Sequence, residues 1–260
     1  MSVGNFYDDT SPEIWKKVIG EDLHYHVGWG EGDILYNAIE YLYQFIDRDS
    51  TVLDCGCGWG GPAKVLQRDL NCSVTGVTIS EVQYNYIKEN LSMDVIHSDL
   101  HDYKPTKKYD VCLFIESFCH LDDPLKVLYN IENCSNKIIL REYYLKGDDY
   151  PKKYVDNWLM NIYRKEELFS IFNKLDFKLS FEEEHYDYAL EPTVDYWLHN
   201  LSKIGKIHKT NHIHTLEFSA RYFWNGVFVH AGMNGLNFDE IELGLGKLFM
   251  IKENVYVDPK

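Results

Sequence analysis

The sequence predicts an α/β protein with a doubly wound, seven-stranded sheet, and two observations carry most of this prediction. First, short β-branched and apolar runs alternate with helical segments of about ten residues, a pattern typical of doubly wound sheets. Second, residues 51–61 (TVLDCGCGWGG) combine a strand, a glycine-rich turn and the start of a helix. In such sheets, ligands bind at the carboxyl ends of the strands.

The predicted elements follow one another in a regular order. Residues 1–50 are predicted to be helical, because Ser11 and Pro12 form a helix start and apolar residues recur at helical spacing from Ile34 to Phe45. The segment 20–30, rich in glycine and aromatic residues, is predicted to be a loop that closes over a ligand. The strands are predicted at 51–53, 73–78, 93–97, 110–115, 137–140, 177–183 and 246–253.

The interval from residue 185 to residue 244 breaks this alternation. It is too long for a loop, so it is predicted to contain helices at 193–204 and 216–229 that cap the carboxyl ends of the strands. The predicted organisation is therefore an amino-terminal helical lid (1–50), an α/β core (51–184), a helical cap between strands six and seven (185–244), and the last core strand with a tail (245–260).

The net charge, the apolar runs and the cysteines of the sequence limit the kinds of molecule that the protein is expected to bind and its location. The 260 residues carry 41 acidic and 26 basic side chains, a formal net charge of −15, which disfavours nucleic acids and anionic membranes as partners. The sequence contains no signal peptide and no apolar run long enough for a membrane span. Its six cysteines form no spaced framework and no second pair completes a zinc site with Cys55 and Cys57. These features predict a cytoplasmic protein with a small-molecule substrate.

The glycine-rich turn follows an acidic residue at the end of the first strand. Asp54 precedes Gly56, Gly58 and Gly60, which allow positive φ angles and a close approach of a ligand to the main chain. The spacing differs from the dinucleotide fingerprint and from the phosphate loop. It resembles motif I of class I S-adenosylmethionine (SAM) methyltransferases. The resemblance implies a Rossmann-like fold, SAM as the cofactor, and binding of its methionine end by Asp54, Gly56 and Gly58.

The second strand ends in a threonine where nucleotide-binding sheets usually have an acid. The string GVTISEVQ at 76–83 is similar to the cyclopropane fatty acid synthase and tocopherol methyltransferase branch of that family. The resemblance implies that Thr78 and Gln83 replace the acid at the ribose and that Ile79 packs on the adenine. The alternative is that Thr78 is only a helix cap and Gln83 a solvated helix residue.

A third motif follows the third strand. In the family, the acid after this strand accepts a hydrogen bond from the adenine amino group, which implies this role for Asp99, with Leu100 and Ile115 beside the cofactor. Taken alone, an aspartate after a strand is most often a turn or helix cap. The cofactor interpretation depends on the order of the three motifs, since each follows a successive strand.

The fourth strand leads into Glu116 and His120. A buried histidine with a satisfied partner is the alternative interpretation. However, N-methyltransferases of the glycine/sarcosine and phosphoethanolamine types carry a similar acid-x-x-x-His, and in the latter the histidine pairs with an amino-terminal tyrosine. The resemblance implies that Tyr7 and His120 form a latch and relay the substrate proton, with Glu116 near the methionine ammonium or the nucleophile. It also implies that the cofactor is lined by Trp15, His24 and Tyr25.

These motifs predict methyl transfer to a small organic substrate, most readily at an amine nitrogen. An amine attacks only when unprotonated, which requires a base such as His120, and aromatic and acidic side chains tolerate a cationic product. One alternative is C-methylation of an isoprenoid or other alkene, with Glu116 taking a proton from a carbocation. Another is a SAM-bound scaffold, regulatory subunit or cyclase without methyl transfer. The sequence predicts no oligomeric state.

Departures from the related families narrow the chemistry. Trp158 and Met160 align where phosphoethanolamine enzymes clamp phosphate, so a phosphorylated substrate is not expected. Cys119 replaces the glutamate of the Phe-Glu-His string of cyclopropane synthases, which disfavours bicarbonate-assisted cyclopropanation. His208, His212 and His214 lie in a polar stretch that predicts a solvated loop, and no metal is predicted.

Overall fold

Strands and helices alternate through the part of the chain that the computed structural model describes, residues 2–145, 159–184, 186–204, 213, 216 and 243–252. The helices are α1 (Val3–Tyr7), α2 (Pro12–Ile19), α3 (Ile34–Glu40), α4 (Gly61–Leu70), α5 (Glu81–Asn90), α6 (Pro124–Ile131), α7 (Lys165–Asn173) and α8 (Tyr186–Ile204). The strands are β1 (Thr51–Cys55), β2 (Ser73–Thr78), β3 (Asp94–His97), β4 (Val111–Ile115), β5 (Lys137–Leu145), β6 (Phe177–Glu184) and β7 (Leu243–Lys252). Two 3-10 helices occupy Tyr41–Gln44 and Phe118–His120.

The sheet has the strand order β3-β2-β1-β4-β5-β7-β6. β1 pairs in parallel with β2 and β4, and β7 runs antiparallel to both β5 and β6. Successive strands are added on one side of β1 as far as β3, and β4 then pairs on the other side. Open α/β sheets bind ligands at such a reversal, outside the carboxyl ends of the strands. The predicted α/β fold with a parallel sheet between helices is confirmed.

Helices cover both faces of the sheet and also its carboxyl edge. Every residue of β4 is buried, as expected for a central strand covered on both sides. On one face the strands pack against α6 and α7, and on the other against α3 and α4. A third apolar cluster joins α2 and α8, in which Trp15 and Ile19 pack with Trp197 and Leu201. This helical layer lies beside the edge of the sheet where the motif residues emerge.

The predicted end of the fifth strand was wrong. β5 continues past residue 140 to Leu145, through the charged residues Arg141 and Glu142. Both are buried because they have partners distant in sequence. Arg141 forms an ion pair with Glu116, and Glu142 accepts a hydrogen bond from the Cys119 N–H at 3.1 Å.

Several sequence predictions fall on residues that the structure does not describe. The second cap helix, predicted at 216–229, lies outside the described residues except for Leu216, and His208, His212, His214 and Trp158 lie outside them as well. Within the described residues, no helix has the length and apolarity needed to cross a bilayer. The same part of the chain contains no cluster of three or more side chains suited to hold a metal ion.

Candidate active site

A cavity of about 560 Å³ lies at the carboxyl ends of β1, β2 and β4. Its volume falls within the range of small-molecule sites. The lining includes glycines after β1, the end of β2, the turn after β4, and side chains from α1, the 20–30 loop and α8. Among the predicted site residues, those that line it are Tyr7, Tyr25, Gly56, Gly58, Thr78, Ile79, Gln83, Asp99, Leu100, Ile115, Glu116 and His120.

The glycine turn brings the main chain against the end of β4. Gly56 has a φ of 89°, and a Cβ atom there would stand 2.5 Å from the Cβ of Ser117. Gly58 also has a positive φ, 53°, but a Cβ atom there would meet no atom within 4 Å. Only glycine adopts these angles without strain, so the turn is built for close approach of β1 to β4 at Gly56 and leaves open space at Gly58.

Asp54, predicted to bind the methionine end of the cofactor, lies behind the cavity rather than in its lining. Its side chain is 2% exposed, and its Oδ2 atom has no hydrogen-bond partner among the described residues. Burial raises the pKa of this carboxyl to about 7. A buried, incompletely paired carboxylate next to the glycine turn favours a cation or hydrogen-bond donor on the other side of that turn.

The end of β2 presents a hydroxyl and an amide to the cavity. Thr78 Oγ1 donates to Gln83 Oε1 at 2.7 Å, and both side chains are buried. This bond uses the oxygen of the amide and leaves its nitrogen, for which the described residues provide no acceptor, available to a ligand. The helix cap of α5 is Ser80, whose hydroxyl accepts from the Gln83 N–H at 3.1 Å. The alternative that Thr78 is only a helix cap is therefore wrong.

Asp99 forms a turn with the following histidine. Its Oδ1 atom accepts from the main-chain N–H of His101 at 2.8 Å and from the ring Nδ1 of the same residue at 2.7 Å. The second oxygen, Oδ2, has no partner among the described residues and is available to a donor in the cavity. Asp99 thus caps a turn and also lines the cavity, together with Leu100 and Ile79. The sequence did not single out His101.

Tyr7 and His120 are in contact across 113 residues of sequence. The Tyr7 hydroxyl lies 2.8 Å from His120 Nε2, and His120 Nδ1 lies 3.1 Å from the carbonyl oxygen of Leu159. Since a carbonyl only accepts, Nδ1 carries the proton, and Nε2 accepts from the tyrosine. Burial lowers the pKa of His120 and raises that of Tyr7. The pair is therefore a neutral imidazole and a neutral phenol at neutral pH.

Glu116 is an anchored carboxylate. Its Oε1 atom accepts from the Val27 N–H at 2.8 Å and forms an ion pair with Arg141, and its Oε2 atom accepts from the Tyr143 hydroxyl at 3.2 Å. Its own backbone has a φ of 50°, a conformation that is uncommon outside glycine. The residue lines the cavity, but three partners fix its position, which suits an electrostatic role better than that of a mobile base.

Trp15 and His24, predicted to line the cofactor, are not among the residues that line the cavity and lie behind it. Trp15 is 1% exposed and packs on Tyr25, with ring centroids 4.6 Å apart. His24 Nδ1 lies 3.2 Å from Nε2 of His26, and His26, which the sequence did not single out, lines the cavity instead. Trp15 is buried in the cluster between α2 and α8, His24 is buried in the loop, and each contacts a neighbour that lines the cavity.

Another residue that the sequence did not single out fixes α1 over the site. The Oδ1 atom of Asp8 accepts from the Ser80 hydroxyl at 2.6 Å and from the Val82 N–H at 3.2 Å, at the amino terminus of α5. Carboxylates are favourable at that end of a helix. The five-residue helix α1 is thereby held across the cavity by Asp8 at one end and by the Tyr7 hydroxyl.

Comparisons with known proteins agree with this geometry. A family model described as a methyltransferase domain matches residues 33–190, more than half of the chain. The (S)-tetrahydroprotoberberine N-methyltransferase of Eschscholzia californica is 38% identical over 83 residues, 29% of this chain and 24% of that protein. The 2-methyl-6-phytyl-1,4-hydroquinone methyltransferase of a Synechocystis species is 30% identical over 141 residues, 47% of this chain and 44% of that protein. The matches thus span less than half the length of these curated relatives.

Solved structures share the fold over almost the whole chain. Coclaurine N-methyltransferase bound to N-methylheliamine and SAH superposes with a TM-score of 0.70 at 21% identity, covering 93% of this chain and 79% of that one. The cyclase SpnF superposes with a TM-score of 0.74 at 19% identity, covering 96% and 94%. The resemblance inferred from the sequence motifs is confirmed by the family model and by these relatives. The chain belongs to the methyltransferase domain family.

Proposed function

We propose that this protein is a SAM-dependent methyltransferase that acts on an amine nitrogen of a small organic molecule. The observation that carries the proposal is the hydrogen bond of 2.8 Å between Tyr7 and His120. Both residues line the same cavity as the glycine turn. A neutral imidazole beside a cofactor cradle is what amine methylation requires. The similarity to plant N-methyltransferases and to coclaurine N-methyltransferase supports the nitrogen acceptor.

The described residues fit SAM at the carboxyl edge of the sheet. The open space at Gly58 and the incompletely paired carboxyl of Asp54, which a nearby cation would favour in its ionised form, suit the cationic methionine end. The unused amide nitrogen of Gln83 suits the ribose hydroxyls, and the unused Oδ2 of Asp99 suits the adenine amino group. Ile79, which is 37% exposed, would then cover the adenine ring with apolar surface. When bound, SAM supplies an electrophilic methyl group on a sulfonium.

The protein's own residues would align the amine and remove its proton. His120 Nε2 accepts a proton from the amine once the Tyr7 hydroxyl rotates or shares its hydrogen bond, and Nδ1 stays bonded to the Leu159 carbonyl throughout. Glu116, whose pKa is raised by burial although the Arg141 guanidinium opposes that shift, would stabilise the positive charge on nitrogen in its ionised form. The aromatic side chains of Tyr25 and Trp197 in the lining tolerate a cationic product and exclude water.

We propose further that a helical cap completes the site and that the sheet has seven strands. The domain limits are those predicted above. Val194 and Trp197 of α8, which follows β6, line the cavity, and this supports the cap. The cytoplasmic location predicted from the composition is part of this proposal, and all six cysteines lie in the described residues as free thiols. For example, the sulfur atoms of Cys112 and Cys134 lie 3.5 Å apart without a bond.

The proposal is tested by incubating the protein with methyl-labelled SAM and a panel of primary, secondary and tertiary amines, isoprenoid alkenes and phenols. Label on nitrogen supports the proposal. Label on carbon would establish the C-methylation alternative. Binding of SAM by calorimetry without S-adenosylhomocysteine formation on any substrate would favour a SAM-binding protein without methyl transfer.

The pH dependence of kcat should report His120. Its pKa lies below the ordinary 6.5 because burial disfavours the imidazolium, so the active neutral form predominates at neutral pH. We expect kcat to rise with pH on a single acid limb centred below 6.5 and to be flat above it. A limb centred at about 7 would contradict this and point instead to Asp54 or Glu142, whose pKa burial raises to about 7.

Asp8 should control how firmly α1 covers the cofactor. Asp8→Ala removes the acceptor for Ser80 and Val82, and we expect the Kd for S-adenosylhomocysteine to rise about fivefold to tenfold, the effect of one or two lost hydrogen bonds. Asp8→Asn, which keeps an oxygen at that position, should lose much less. Calorimetric titration measures both, and equal affinities for Asp8→Ala and the unchanged protein would refute the role.

A further inference from the structure

Side chains from three separate elements hold the backbone of Val27 and Gly28. The Val27 N–H donates to Glu116 after β4 at 2.8 Å. The Gly28 N–H donates to Thr193 Oγ1 on α8 at 2.8 Å, and the Gly28 carbonyl accepts from Arg141 Nη2 on β5 at 3.1 Å. We call these two residues and their three partners the Val27–Gly28 clasp.

The remaining polar group of the clasp is also bonded. The Val27 carbonyl accepts from the Nδ1 of His26 at 2.9 Å. All four backbone polar groups of these two residues therefore have side-chain partners, although the loop belongs to no helix or strand. Buried backbone groups are normally satisfied by secondary structure, so this arrangement fixes a loop as firmly as a regular element would be fixed.

Thr193 and Arg141, the two partners of Gly28, are buried and have the polar atoms needed to bond its backbone. Thr193 is 0% exposed, and its hydroxyl hydrogen is used on the Ala189 carbonyl at 2.6 Å, which leaves oxygen lone pairs for Gly28. Arg141 is 1% exposed and contacts both the Gly28 carbonyl and Glu116. A Cβ atom at residue 28 would stand 2.8 Å from Ile34 Cγ1, so the loop approaches α3 as closely as a glycine allows.

The clasp lies directly behind three cavity-lining groups. Tyr25 and His26 immediately precede Val27, and Glu116 is itself one of the partners. Neither Arg141 nor Thr193 lines the cavity. Their influence on the site must therefore pass through the loop and through Glu116.

We propose that Arg141 and Thr193 are positioning residues of this methyltransferase. By holding the backbone N–H and the carbonyl of Gly28, they fix Tyr25 and His26 against the cofactor and Glu116 against the reacting centre. Since Val194, next to Thr193, lines the cavity from α8, the clasp also connects that helix to the 20–30 loop. This inference rests on the proposed function for its catalytic meaning, whereas the mechanical part concerns the protein without any ligand.

The first test asks whether the Thr193 hydroxyl holds the loop in the protein without any ligand. It compares Thr193→Val, which preserves the shape of the side chain and removes the hydroxyl, with Thr193→Ser, which keeps the hydroxyl. Hydrogen–deuterium exchange of residues 24–30 should accelerate about tenfold in Thr193→Val, as expected for one lost buried hydrogen bond, and stay near the original rate in Thr193→Ser. Residues 165–173 of α7, remote from the clasp, serve as the internal reference. Unchanged exchange at 24–30, or an equal acceleration at 165–173, would overturn the proposal.

The link to the site is tested with S-adenosylhomocysteine affinity in a double-mutant cycle of Thr193→Val and Arg141→Lys. Because both side chains hold the same residue, Gly28, the fold-losses in affinity should not multiply, and the double variant should resemble the worse single variant. If the fold-losses of the two single variants multiply in the double variant, the two side chains act independently and the shared positioning role is overturned. If Arg141→Lys does not fold, the serine and valine comparison decides alone. If the unchanged protein does not bind S-adenosylhomocysteine while the exchange result holds, the proposed function fails and the clasp stands.

Discussion

Replacing His120 with alanine should lower kcat by about 10²–10⁴-fold, the usual contribution of a positioned general base. The imidazole lines the cavity, its Nε2 atom accepts from Tyr7, and burial lowers its pKa so that it is unprotonated at neutral pH. Affinity for S-adenosylhomocysteine should change by less than about threefold, since His120 is not needed to hold the nucleoside in the proposed mechanism. Single-turnover rates with labelled SAM measure the first quantity and calorimetry the second.

Tyr7→Phe is the matched control for this prediction. It keeps the ring that packs edge-on against His120, with centroids 5.6 Å apart, and removes only the hydroxyl. We expect a loss in kcat of about tenfold, in line with one hydrogen bond that orients the base. A His120→Ala variant with unchanged kcat would eliminate the proton-acceptor role, whatever the result for Tyr7→Phe.

Gly56→Ala should be the most damaging small substitution in the turn. A φ of 89° strains any L-residue, and the added methyl would stand 2.5 Å from Ser117 Cβ. Together these effects should lower the free energy of unfolding by about 2–4 kcal/mol, of which about 1–2 kcal/mol is backbone strain. The displaced Ser117 also lines the cavity, so S-adenosylhomocysteine affinity should fall. Chemical denaturation and calorimetry measure the two effects.

Two variants separate the clash from the strain. Gly58→Ala has a comparable positive φ, 53°, with no atom within 4 Å of the new methyl, so it should lose only about 1–2 kcal/mol of stability. Adding Ser117→Gly to Gly56→Ala removes the atom in the way, and the pair should be less destabilising than the sum of the single changes. Equal stability of Gly56→Ala and Gly58→Ala would show that the close approach to β4 is unimportant.

Much of the fold could be predicted because its signals are local. β2 spans the residues predicted for it, since a β-branched run ends at a serine that caps the next helix. The end of β5 could not be predicted in the same way. Arg141 and Glu142 look like residues that terminate a strand, and only partners distant in sequence, Glu116 and the Cys119 N–H, allow their burial.

The site residues, too, divide into those that local sequence signals predict and those that depend on contacts distant in sequence. Residues after β1, β2, β3 and β4 could be assigned because the carboxyl ends of parallel strands meet at one edge. The Tyr7–His120 contact was predicted from family resemblance rather than from periodicity. Which side chain of the 20–30 loop reaches the cavity could not be predicted, because the path of the loop places Tyr25 and His26 in the lining and His24 behind it. Adjacent charges in an apolar strand, as at Arg141, were an available signal for a buried ion pair near the site.

The position of Tyr7 on α1 has one more consequence for turnover. In the proposed mechanism, the helix that must move aside to admit or release the nucleoside also supplies the phenol that orients His120. Lifting α1 would therefore also remove the hydroxyl that orients His120, so release of the nucleoside and loss of that orientation would occur together. The rate at which α1 lifts would then set an upper limit on the turnover rate.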